Sequence, residues 1–158
     1  MINPIEFQKM SLNSTTEKEK LTTEEKILNS FKEKKNNWND TILYLCEEYK
    51  KPNNVNLNAE LLSYRQMLTD EICSLTFVNF DSEKSIIMGK KDKHLKYNNV
   101  SSWNERDSFI NADLVVLIER NTMFKTYIEF LKETVKNIDS LLNSLKNKLY
   151  INNLENGL

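Results

Sequence analysis

The sequence predicts an all-α protein: a long antiparallel helical hairpin with a coiled-coil seam, an N-terminal helix, and a disordered tail. Three observations predict it. From Ile110 onward, steps of four and three pass through Leu114, Leu117, Asn121, Phe124, Ile128, Leu131, Val135, Ile138, Leu142, Leu145 and Leu149. Apolar residues sustained at a mean spacing of 3.5 make a seam that another helix must cover. The whole chain holds two glycines and two prolines, so little interrupts a helix once it starts. Finally, Thr22 with Glu25 and Ser102 with Glu105 each have capping-box spacing, in which two orphan N–H groups at a helix start are satisfied reciprocally.

Residues 1–21 carry few apolar positions and much Ser, Thr, Lys and Glu. Such a segment buries too little apolar surface to offset its ordering entropy and is expected to be disordered. A first helix follows over about 23–50, with Phe31, Trp38, Ile42, Leu45 and Tyr49 at helical spacing. Trp38, Tyr44 and Tyr49 are expected to pack rather than to form a ligand box. Pro52 ends this helix, and Pro-Asn-Asn-Val-Asn reads as a linker. A second helix is expected over about 57–88. Leu57, Leu61, Tyr64, Leu68, Ile72 and Leu75 keep one face, and Asn79, Ser82 and Ile86 continue it. One stutter falls between Leu68 and Ile72, where a supercoil locally unwinds. The cluster Thr76-Phe77-Val78 is rich in strand formers, so a short strand is the lesser alternative there.

Gly89 to Trp103 reads as an irregular tip joining the second helix to a third, long helix over about 103–150. At 1.5 Å per residue that helix is roughly 60 Å long. Ile110, Leu117, Phe124, Leu131, Ile138 and Leu145 take d positions, and the alternate residues take a positions. Asn121 is then a lone polar a residue, which commonly fixes register or oligomer state. Ile118, Tyr127, Phe130 and Leu141 widen the stripe beyond a two-stranded seam. The expectation is that the preceding helix covers one side and a second subunit the other, making a homo-oligomer. Residues 22–158 would form one helical domain.

Composition excludes several classes. Phosphate-cradling loops need glycines at fixed offsets, which Gly89 and Gly157 do not supply. Cys46 and Cys73 lack metal or redox spacing, and His94 has no spaced Cys or His companion. Glu47-Glu48 and Asp70-Glu71 read as surface acids on helices. No catalytic arrangement, metal or cofactor is expected, so the chain is not read as an enzyme. No apolar run approaches the roughly 20 residues of a membrane span and no signal peptide is evident; a soluble, cytoplasmic protein is expected. The net charge of −1 leaves nucleic-acid binding to a local patch. The candidate patch is Lys90, Lys91, Lys93 and Lys96, with Tyr97 for stacking and His94 and Trp103 nearby. Lysines neutralise phosphates, and aromatic rings carry unpaired bases. The contrary reading is a solvated hairpin tip.

Several segments of the second half carry a resemblance. They are Phe109-Ile110-Asn111-Ala112-Asp113, Tyr127-Ile128-Glu129-Phe130-Leu131, Val135-Lys136-Asn137-Ile138, Ser144-Leu145-Lys146-Asn147 and the near-terminal Gly157. Residues 57–158 resemble UvsY-type recombination mediators of myophages. The resemblance implies a small helical protein that forms ring-like oligomers and binds single-stranded DNA. It further implies help in loading a RecA-like recombinase onto strands coated by a single-strand binding protein, in the host cytoplasm. In that family basic residues adjoin a Tyr-Tyr-x-Gly turn. Here Ser85-Ile86-Ile87-Met88-Gly89-Lys90-Lys91 takes that place, with Ile87 and Met88 standing where the tyrosines would be. The rival expectation is a structural or adaptor coiled-coil protein, a virion or chaperone component, without a nucleic-acid role. A weaker third is a small helical regulator that binds a partner through its tail.

Overall fold

The computed structural model describes residues 22–51 and 56–155. The predicted tail, Pro52 with most of its linker, and Gly157 lie outside the described residues. Four helices follow in order, with no strand among the described residues: α1 (Thr23–Lys50), α2 (Leu57–Lys96), α3 (Trp103–Asp113) and α4 (Val115–Glu155). The all-α helical hairpin expected from the seam is present. Thr76-Phe77-Val78 is helical, inside α2.

The first capping box forms as the sequence predicts. Thr22 Oγ1 accepts the Glu25 N–H, and the Glu25 carboxylate accepts the Thr22 N–H. At Ser102 the hydroxyl accepts the Glu105 N–H at 3.4 Å, and this start lies at Trp103 as expected. Two boundaries differ. The second helix runs on through Lys96 instead of stopping at 88, so Gly89 is helix interior rather than the opening of an irregular tip. A mid-helix Gly costs about 1 kcal/mol against Ala. Here the lost side chain admits Leu114: a Cβ on Gly89 would stand 2.9 Å from Leu114 Cδ2. The long helix is also not continuous. Leu114 leaves helical geometry at φ −110°, ψ 7°, and separates α3 from α4. Its N–H is shared between the Ile110 and Asn111 carbonyls, and its own carbonyl accepts from Ile118. A tightened turn therefore lies where the Leu114 side chain packs over Gly89 of α2.

Cross-helix pairs give the topology. Arg65 meets Asp139, Asn79 meets Asn121, and Lys93 meets Asp113, so α2 and the α3–α4 arm are antiparallel. Glu24 pairs with Arg120 at one end of α1, and Lys148 donates to the Tyr49 carbonyl at the other, so α1 runs parallel to α4. The core joins Phe31 and Leu45 of α1 to Leu57, Leu61 and Leu68 of α2 and to Tyr127, Leu131, Ile138, Leu142 and Leu145 of α4. Glu71 is a junction rather than an ordinary surface acid. It accepts from Lys34 at 2.7 Å, Trp38 Nε1 at 3.4 Å and the Tyr127 hydroxyl at 3.2 Å, tying all three helices. Burial pushes the Tyr127 phenol well above its ordinary range, and Glu71 adds to the effect.

The seam thus finds its partners inside the chain. Ile110, Leu114, Asn121, Ile128, Leu131, Ile138, Leu142 and Leu145 are buried, while Leu117, Phe124 and Val135 are half-buried. Leu149 alone of the series is exposed. Asn121 donates to Asn79 Oδ1 at 3.0 Å, so it sets the register of α2 on α4. The extra flank also differs from expectation: α1 of the same chain covers Tyr127, on which Phe31 stacks at 4.3 Å between centroids. As expected, the preceding helix covers one side of the seam; on the flank assigned to a second subunit, α1 of the same chain lies instead.

These contacts divide the molecule along its length. Beside Arg120 and Glu24 the three-helix section ends, because α1 begins there. Beyond it, among the described residues, the last part of α2 packs on α3 and the start of α4. This is a two-helix arm, and it carries the candidate site at its tip.

Candidate nucleic-acid interface

The arm's tip is built around one carboxylate that the sequence reading did not single out. Asp113, the last residue of α3, accepts from Lys93 Nζ at 2.8 Å, Lys96 Nζ at 2.9 Å and the Tyr97 hydroxyl at 3.0 Å. Hydrogen bonds from Lys93, Lys96 and Tyr97 hold its carboxyl well below the usual carboxylate range. The Lys96 ammonium is in turn raised, through Tyr97 and Asp113. The last turn of α2 is a favourable place for cations, because the helix dipole ends negative there. Asp113 adds a specific anchor, and the two effects together explain why α2 continues to Lys96.

These contacts sort the predicted site residues. Lys93 and Lys96 are tied to Asp113 and present only part of their charge outward. Tyr97 is not an open stacking platform. One ring face lies on Phe109 at 5.6 Å between centroids, Lys96 Nζ sits 4.7 Å from the ring centre, and the hydroxyl is used. Lys90 and Lys91 have no ion-pair partner among the described residues, and both project from the penultimate turns of α2. They are the two ammonium groups of the predicted patch that no carboxylate among the described residues claims.

The aromatic platform lies elsewhere. Trp103, at the start of α3, is 64% exposed and stacks on His94 at 5.3 Å between centroids, 22° from parallel. The Arg106 guanidinium lies 6.0 Å from the Trp103 ring centre. Arg106 also closes the connection between α2 and α3, donating to the Asn98 carbonyl at 3.2 Å and to the Val100 carbonyl. His94 covers one side of the indole and leaves much of it to solvent, and Lys90 and Lys91 precede His94 by one helical turn on α2. Ser102 was the signal for this in the sequence, because its cap places Trp103 at the first helical position beside the tip. Asp113 carried no local signal, being seventeen residues beyond Lys96.

No family model, curated protein or solved structure matches the chain. The chemistry of the tip therefore carries the functional reading. No group of three or more His, Cys, Asp or Glu able to hold a metal occurs among the described residues. Glu47 and Glu48 are paired with Lys50 and Lys51 on α1's own surface. Among the described residues no helix is long and apolar enough to cross a membrane.

Proposed function

We propose that this protein binds single-stranded DNA through the arm's tip and serves as a recombination mediator, helping a RecA-like recombinase displace a single-strand binding protein. The observation that supports it is the exposed, His94-stacked Trp103 beside the unpaired Lys90 and Lys91. An unpaired base has a free π-face to lay on the indole, whereas a duplex hides its bases from such a platform. Lys90 and Lys91 neutralise phosphates on either side, which makes the affinity salt-dependent. A small site of this kind binds weakly alone and gains by repetition along a strand.

A labelled poly-dT oligonucleotide titrated at rising salt tests the reading. Binding should weaken steeply with salt, and Lys90→Ala with Lys91→Ala should flatten the salt slope by up to about two phosphates' worth. Trp103→Ala should weaken binding by about 1–3 kcal/mol with the slope unchanged, since a stacked base releases no counterion. Absence of binding at low salt would sink the proposal. It would favour the second reading, a structural or adaptor helical protein, for which the uncovered apolar residues Phe77, Phe80 and Ile87 on α2 speak.

A further inference from the structure

The helix α2 is apolar on two opposite faces. One packs on α1 and α4; the other is uncovered among the described residues. On the open face Cys73, Phe77, Phe80, Lys84 and Ile87 recur at steps of four, three, four and three, with Met88 beside them. Phe77, Phe80 and Ile87 are 69%, 63% and 66% exposed. This is a second heptad seam, about half a turn from the first, and a seam with this spacing is covered by another helix. An apolar helix face of this length on a monomer marks an interface.

We infer that the open face of α2 pairs with the same face of a second copy, antiparallel, about a two-fold axis between Asp81 and Lys84. Charge identifies the occupant. An isologous interface must be complementary to itself, residue i meeting j and j meeting i. Lys84 stands in the middle of the stripe and Asp81 on its flank, and neither side chain has a partner among the described residues. In the antiparallel register Lys84 of each copy reaches Asp81 of the other, giving two ion pairs from one patch. The same register sets Phe77 of each copy against Met88 of the other, a favourable thioether–aromatic contact. A parallel pairing would instead place Lys84 against Lys84. The two tips then point in opposite directions, about 40 Å apart at 1.5 Å per residue.

The inference does not rest on the DNA reading, since it uses residues outside the tip. Sedimentation of the full chain from about 1 to 100 µM should show a monomer–dimer equilibrium. Phe80→Glu should leave a monomer whose helical circular dichroism is that of the wild type and whose melting matches the wild type diluted below its dimerisation range, because Phe80 is exposed and dimerisation alone makes the wild-type melt depend on concentration. Lys84→Glu and Asp81→Lys should each weaken dimerisation on the order of tenfold, and the double reversal should restore it. A wild type that stays monomeric throughout, or a dimer that persists in Phe80→Glu, overturns the inference. Failure of the double reversal to recover overturns the antiparallel register. The monomeric Phe80→Glu variant should still bind poly-dT through its single tip, so the two proposals fail separately. Loss of poly-dT binding by this variant from a monomeric wild type would assign the stripe to nucleic acid instead.

Discussion

At the residue scale, Asn121 and Asp113 show how one polar group does different work in different surroundings. Asn121 is buried and its amide is satisfied by Asn79 across the hairpin. Replacing it with Leu leaves Asn79 Oδ1 without its donor, while Asn79 Nδ2 keeps Glu83, at a cost of about 1–3 kcal/mol. Changing both to Leu should recover most of that in urea melts, because no polar group is then stranded. Asp113 works at the surface, and its effect is seen in pH. Its carboxyl is held below the ordinary value of 3.8 by Lys93, Lys96 and Tyr97. The depressed value means this stabilisation is complete above about pH 4 and is lost as acid protonates the group below it. Trp103 fluorescence, which reports the His94 stack, should change over that acid range in the wild type. In Asp113→Asn it should already be altered at neutral pH. A wild-type signal flat down to the global acid transition would show that Asp113 does not organise the tip.

At the element scale, the seam spacing and both helix starts were legible because they are local: caps and periodicity act within one or two turns. The end of α2 was not. Gly89 and the lysine run look like a breaker and a loop when read alone, and only Leu114 and Asp113 make them helix interior. A Cβ at Gly89 must push aside the flexible end of Leu114, while Ala adds about 1 kcal/mol of helix propensity. Gly89→Ala should therefore change stability by less than about 1 kcal/mol, the two effects opposing each other. Gly89→Leu should separate the arm's helices and destabilise by about 1–3 kcal/mol. Thermal melts of the two variants check this; equal losses would show that backbone entropy alone decides the position. The break at Leu114 was equally hidden, because a tightened turn preserves the heptad count on both sides.

At the scale of the whole molecule, the hairpin is a bundle over part of its length and an arm over the rest. The boundary is set by where α1 begins, at the Glu24–Arg120 pair. Phe31 holds α1 down, packed on Tyr127 and edge-on to Phe124 at 5.4 Å. Phe31→Ala should cost about 3–5 kcal/mol and make α1 exchange its amide protons before the rest of the chain. If exchange of α1 stays in step with α4, docking is shared along the helix rather than anchored at this residue. The arm, by contrast, keeps few buried residues, and the apolar stripe of α2 runs into it from the three-helix section, so the proposed DNA contact falls at its tip and the proposed contact with a second copy straddles its base.

The sequence by itself determined that the chain is helical, where α1 and α3 start, and which side of each long helix is apolar. These follow from nearest-neighbour physics: caps, spacing, and the scarcity of Gly and Pro. Tertiary structure decided what covers each apolar face. Because α1 folds back along α4, it covers the flank that spacing alone assigned to another subunit. Because Asp113 meets the end of α2, it claims Lys93, Lys96 and Tyr97 and leaves Trp103, Lys90 and Lys91 open. Contacts between residues far apart in the chain have no local signature, so periodicity can say that a face needs a partner without saying which.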